Sequence, residues 1–86
     1  MEARYPIVVI HCIDQAYYTG IYDPRTKEFT ASEMYTVGHL VHEDDKNVVI
    51  TTEYFDCHDI RYVSVIPKIT IIKMEILRNG EEHVKS

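Results

Sequence analysis

The chain is short of positive charge: 9 Lys and Arg stand against 14 Asp and Glu, a formal charge of −5. It therefore offers no electrostatic footprint for a phosphate backbone, which argues against DNA as a partner. The acids fall mainly in turn-like segments and near the C-terminus, which also argues against mimicry of nucleic acid. Cysteine is limited to Cys12 and Cys57. No CxxC or HxxxH spacing occurs, so no closed metal signature is present and no cofactor is expected. No apolar run approaches a membrane span, and no positively charged leader followed by an apolar core opens the sequence. These absences lead to the expectation of a cytoplasmic protein with two reduced thiols. Internal repeats, low-complexity segments and a phosphate-cradling glycine loop are missing as well.

What is present is a core-forming composition: 45% hydrophobic residues and seven tyrosines in 86 residues argue against disorder. A chain of this length buries only a modest share of its unfolded surface, so it needs a tidy core or a partner. Residues 5–13 (YPIVVIHCI) are apolar and β-branched and read as a first strand, with Pro6 tolerable only near its start. Thr19-Gly20 and Asp23-Pro24-Arg25 supply turn chemistry, and residues 17–22 read as irregular or briefly extended. Residues 29–34 (FTASEM) are the one place where a helical turn could start, but nothing periodic follows, so a loop entering a strand is expected.

Residues 35–43 and 48–54 read as strands joined by the polar reversal Asp44-Asp45-Lys46-Asn47. Val48, Ile50, Thr52 and Tyr54 alternate with Val49, Thr51 and Glu53, marking one buried and one mixed face. Cys57-His58-Asp59 makes a turn, residues 62–66 form a fourth strand ended by Pro67, and residues 69–77 form a fifth with Lys73 and Glu75 on its more exposed side. The resulting expectation is an all-β fold: a small, strongly bent, five-stranded barrel of the SH3-like or Sm-like kind in one domain, residues 1–78, followed by a frayed polar tail, 79–86.

Residues 37–77 resemble the Sm-like fold. Gly38, Leu40, Asp44, Asn47 and Val48 fall in the order of a glycine-x-leucine strand, an aspartate turn and an apolar strand. Val63, Val65 and Ile66, then Pro67-Lys68, then Ile71 and Met74 resemble its second half. The turn is one residue shorter than the usual spacing, and Pro67-Lys68 stands where those proteins carry an arginine-glycine pair that helps build their RNA pocket. The likeness thus implies the barrel more than RNA binding. The segments VGHLVHEDDKNVVITTEYFD and VIPKITIIKMEIL are also similar to small proteins of phages and prophages with the approximate pattern VGxLxEEDDxxVVLAxxYD and VIPKxxIxxIxxL. That likeness covers about half of the chain and implies a mobile-element origin, in a bacterial or phage-infected cell.

In an open barrel the fourth and fifth strands are edges, and residues 61–76 (RYVSVIPKITIIKMEI) carry few charged gatekeepers. Tyr62, Val63, Val65, Ile69, Ile71 and Lys73 are the candidate surface for a homo-oligomer, with a ring of such pairings as the resemblance to Sm-like proteins implies. The competing expectation is an edge covered by the chain's own N-terminus. Tyr17, Tyr18 and Tyr22, in the irregular segment, are candidates for contact with a host protein or small ligand. Asp44, Asn47 and Lys68 are the counterpart for an RNA or nucleotide site, with Arg61 and Lys46 as the other basic help.

His11, Cys12, His39, His42, Cys57 and His58 invite a zinc or thiol chemistry, but His39 and His42 point to opposite faces of a strand, as do His11 and Cys12. Contiguous Cys57-His58-Asp59 cannot normally assemble as nucleophile, base and orienter. Glu53 with Asp56, or Glu43 with Asp44 and Asp45, read as solvated turn acids rather than a catalytic pair. The leading expectation is a non-catalytic interaction module with no catalytic or metal residues. Sm-type RNA binding is the alternative, and a metal- or thiol-dependent small enzyme is the third.

Overall fold

A computed structural model describes residues 4–14 and 18–81. Five strands follow one another: β1 (Ile7–Asp14), β2 (Ser32–Glu43), β3 (Asn47–Tyr54), β4 (Ile60–Pro67) and β5 (Ile71–Arg78). They form one antiparallel sheet in the order β4-β3-β2-β1-β5, so the expected all-β, five-stranded fold is what the chain adopts. The sheet does not close: among the described residues β4 and β5 are each paired on one side only. Among the described residues the one helical element is a 3-10 turn, Lys68–Thr70, between β4 and β5, rather than near residues 29–34. There Pro67 has spent its φ on an extended conformation and cannot donate to a ladder, so the chain leaves β4 and reverses direction locally.

The twelve residues of β2 serve two neighbours. Its first half pairs with β1 from Asp14↔Ser32 to Ile7↔His39, and its second half pairs with β3 from His39↔Thr51 to Glu43↔Val48. A register shift between Leu40 and His42 lets the strand change direction where it changes partner. Gly38 lies at this bend, and a Cβ on it would sit 3.1 Å from both Ile50 Cδ1 and the Thr51 carbonyl oxygen. The missing side chain is what lets β2 approach β3 so closely.

One face of the sheet carries the core. Val8, Ile10 and Cys12 alternate along β1 and meet Leu40, Val48, Ile50 and Ile66, with Ile71 and Met74 packed against them. The alternation expected for residues 48–54 holds at Val48 and Ile50 but breaks at Thr51, which is buried. Its hydroxyl lies 2.9 Å from the Glu53 carbonyl and within hydrogen-bond reach of the Arg61 carbonyl, so its one proton has an acceptor inside the fold. Opposite this bridge Tyr62 takes φ 58°, a left-handed conformation that is strained for an aromatic residue in a strand.

The segment just before β1 meets both the bend of β2 and the residues just after β5. Leu40 N–H donates to the Pro6 carbonyl at 2.8 Å, and Gly80 packs so tightly on Tyr5 and Pro6 that a Cβ there would overlap their backbone. Gly80 is thus half-buried rather than part of a frayed tail. The remainder of that tail, 82–86, lies outside the described residues.

Candidate functional site

Three regions hold the residues singled out from sequence. The first is the pair of sheet edges. Tyr62, Val63 and Val65 on β4 are exposed, as are Ile69 in the 3-10 turn and Lys73 on β5, whereas Ile71 turns inward onto the core. On β5 the ammonium of Lys73 pairs with Glu75 at 2.6 Å, which raises the Lys73 pKa and lowers that of Glu75. On β4 Arg61 pairs with Glu53 and lies over the rings of Phe55 and Tyr62, at 5.3 and 5.4 Å from their centroids. Because Tyr62 leaves the extended conformation and Pro67 has no N–H, the part of β4 able to continue a ladder is the short stretch from Val63 to Ile66.

The second region is the end of the sheet where the β2–β3 turn meets the β4–β5 connection. Lys68 N–H donates to the Lys46 carbonyl at 2.8 Å, and the Lys68 ammonium pairs with Glu43 at 2.8 Å. Asp44 accepts from the backbone N–H groups of Lys46 at 2.8 Å and Asn47 at 2.7 Å, an Asx-type cap of the reversal. Those two bonds, with a smaller contribution from His42 at 3.4 Å, hold the Asp44 carboxyl below its usual range. The fold therefore brings Asp44, Asn47 and Lys68 together, but it engages the Asp44 carboxylate and the Lys68 ammonium within the protein.

The third region is the segment between β1 and β2. Tyr17 lies outside the described residues. Tyr18 and Tyr22 form an edge-to-face triad with Phe29, with ring centroids 5.1 to 5.8 Å apart. The Lys27 ammonium sits 5.3 and 5.7 Å from the Tyr18 and Tyr22 rings. At the base, the Tyr18 hydroxyl donates to the Thr30 carbonyl at 3.0 Å and accepts from Thr30 N–H at 3.3 Å. At the tip, Asp23 accepts from the Arg25 guanidinium at 2.9 Å and from its backbone N–H at 3.0 Å, which in that order hold the Asp23 carboxyl low. Residues 18–31 thus form a self-packed finger, and the tyrosines are its internal glue. Its fully exposed apolar residue is Ile21. Sequence reasoning passed over Ile21 and Phe29; the signal was an apolar residue directly after Gly20 inside a turn-rich stretch.

Where the finger leaves the sheet, the core face is incompletely filled. A cleft of about 360 Å³ opens there between the outer ends of β1 and β2 and the end of β4. Cys12, Met34, Thr36, Thr70 and the end of β4 from Ser64 to Pro67, Val65 included, line it, with Ile13 and Asp14 at the root of the finger. Thr36 and Ser64 are too small to close it. Burial first, and the charge of Asp14 second, push the Cys12 thiol pKa up.

The remaining polar candidates stay apart. Cys12 is buried and Cys57 exposed in the β3–β4 turn, both unbridged. His11 stacks on Tyr35 with centroids 4.3 Å apart and meets Glu33 at 2.9 Å, on the face opposite the core. His39 packs edge-on against Tyr54. Among the described residues no three His, Cys, Asp or Glu side chains gather as a metal ion would require. A corner that sequence reasoning missed ties the N-terminal segment to the β3–β4 turn: Arg4 lies 5.0 Å from the Tyr54 ring centroid and donates to the Phe55 carbonyl at 2.9 Å, while Tyr5 packs edge-on against Tyr54. It is a clasp within the fold. No family model matches the chain, and neither a curated protein nor a solved structure matches it.

Proposed function

We propose that this chain is a non-catalytic binding module, of the kind a phage or prophage accessory protein supplies, that homo-oligomerises and presents the assembled surface to a host protein or a small ligand. One observation carries the reading: β4 and β5, neighbours in sequence, are the two unpaired edges of one open sheet, and β4 presents Val63 and Val65 without a charged gatekeeper between them. Edge strands expose rows of N–H and C=O groups that another strand can complete, so a second copy offering its β5 to this β4 extends the sheet. Substituting a residue that is 60% exposed should leave the monomer's core intact. Val65→Lys is therefore expected to shift wild-type oligomers toward monomer in native mass spectrometry. A wild type that is monomeric at tens of micromolar, and that retains neither protein nor small molecule from host lysate, sinks the proposal.

Sm-type RNA or nucleotide binding is the second reading, favoured by the meeting of the 44–47 turn with Lys68. The internal pairing of Lys68 with Glu43 and the overall charge of −5 weigh against it. Filter binding of a short uridine or adenosine oligomer at low salt separates the two, since retention there would displace the first reading.

A further inference from the structure

The finger and the cleft beside it form a matched knob and hole. Ile21 is a large apolar side chain left wholly in water on a loop whose shape is already fixed by the Tyr18–Tyr22–Phe29 triad, the Tyr18–Thr30 bonds and the Asp23–Arg25 turn. A preformed loop gives up little conformational freedom on binding, so such an anchor is well placed to bind tightly. The cleft presents apolar Met34 and Ile66 and has room for an isoleucine side chain.

We propose that Ile21 of one copy occupies the cleft of a second copy, and that the second copy's Ile21 returns the contact, giving a two-fold dimer by exchange of fingers. Position selects this occupant. The cleft lies at the root of the finger, because Ile13 and Asp14 end the strand that enters it and Met34 stands near the start of the strand that leaves it. Two fingers laid antiparallel therefore put each tip at the other's root, which is the self-complementary geometry a two-fold pair requires. The last rungs of the hairpin, Ile13↔Glu33 and Asp14↔Ser32, carry no third strand that would block the approach.

Charge selects it too. The finger, residues 18–31, holds two acids and two bases and is neutral within a chain of −5, while the root it would meet carries Asp14 and Glu33. Arg25 and Lys27 of one copy thus approach carboxylates of the other, at the place where two acidic molecules repel least. The cleft borders the end of β4, but the contact is made by a side chain seated in it rather than by the backbone N–H and C=O groups of an edge, so it goes beyond the edge pairing proposed above and does not rest on it.

The test is made in a Val63→Lys, Cys57→Ser background, which places a charge on the β4 edge away from the cleft lining and leaves Cys12 as the one native thiol. Ile21→Cys is added and the protein is equilibrated with oxidised glutathione, each new protein disulfide forming as one oxidised glutathione is reduced to two thiols. The expected result is a covalent dimer whose digest joins the peptide bearing position 21 to the peptide bearing Cys12, and which Cys12→Ser abolishes. A link formed within one chain, no link, or one formed equally in urea overturns the proposal.

Independently, in the Val63→Lys protein with its native cysteines, Ile21→Asp and the cleft-filling Ser64→Met are each expected to weaken dimerisation by about tenfold to a hundredfold in sedimentation equilibrium, the cost of losing one buried aliphatic anchor. Because Ile21 touches no core residue, unchanged circular dichroism should accompany its loss. Unaltered dimerisation in both variants, or a cleft that instead retains a small molecule by native mass spectrometry, also overturns it.

Discussion

Gly38, Thr51 and Cys12 show how much of this small fold rests on single side chains. At Gly38 a methyl group would press on the Thr51 carbonyl, and a backbone oxygen in the middle of a sheet cannot step aside as the Ile50 methyl can. Gly38→Ala is expected to lower unfolding free energy by about 1–3 kcal/mol in urea titration, the usual cost of overpacking. Unchanged stability would mean that β2 is free to slide at its bend. Cys12 ties stability to alkaline pH. Its thiol pKa is raised in the folded state by burial and by Asp14, so the folded protein holds the proton after the unfolded chain has begun to lose it near the ordinary thiol value of 9.0. Its contribution is complete below that pH and disappears as pH climbs through the raised folded value. Stability of the wild type should therefore fall more steeply above about pH 9 than that of Cys12→Ala, measured as urea midpoints across the alkaline range. Parallel curves would show that the thiol titrates alike in both states.

Among the elements, the strands were legible and the joints were not. The apolar, β-branched run of residues 5–13, the alternation of residues 48–54 and the Asp44–Asn47 reversal point to β1, β3 and the β2–β3 connection, because strand pattern and turn chemistry are local properties. The start of β2 at Ser32, inside FTASEM, was read as a loop, since its pairing with β1 is fixed by a distant partner rather than by its own residues. The burial of Thr51 was equally hidden, for it depends on the Arg61 carbonyl on another strand. The irregular stretch after β1 reads from sequence as a place for contact with other molecules through its tyrosines, whereas the packing of Tyr18 and Tyr22 on Phe29 and the full exposure of Ile21 are not visible there. Three aromatic rings close in sequence satisfied one another first. The same reasoning predicts that Phe29→Ala loosens the finger and leaves the sheet alone. Trypsin cleavage after Arg25 and Lys27 should accelerate by about tenfold or more, with the urea midpoint unmoved. A finger cut no faster than wild type would show that the ring triad does not hold it.

At the scale of the whole molecule, surface and core are out of proportion. Sixteen large apolar residues are exposed among the described residues and seven apolar residues are buried. The radius of gyration is 16.3 Å, against about 12 Å for a compact globule of this length. An extended shape with a small core gains by association, and the charge of −5 opposes it. Approaching the sequence pI of about 5.4 removes that opposition. Self-association should therefore be tighter near pH 6 than near pH 8 by sedimentation velocity. A mass distribution independent of pH over that span would show that net repulsion does not limit it.

The strand order has a kinetic meaning as well. β1 is hydrogen-bonded on one side to β2, which follows it after a loop, and on the other to β5, so that Ile10 lies opposite Met74. Its second side waits for a partner from the far end of the chain, and closing so long a loop is slow. Until β5 arrives, Val8 and Ile10 belong to a bare edge rich in β-branched residues, the type of segment that pairs with whatever strand is nearest. Refolding yield should accordingly fall as concentration rises, and a peptide spanning β5, added in excess, should compete for that vacancy and protect the intermediate.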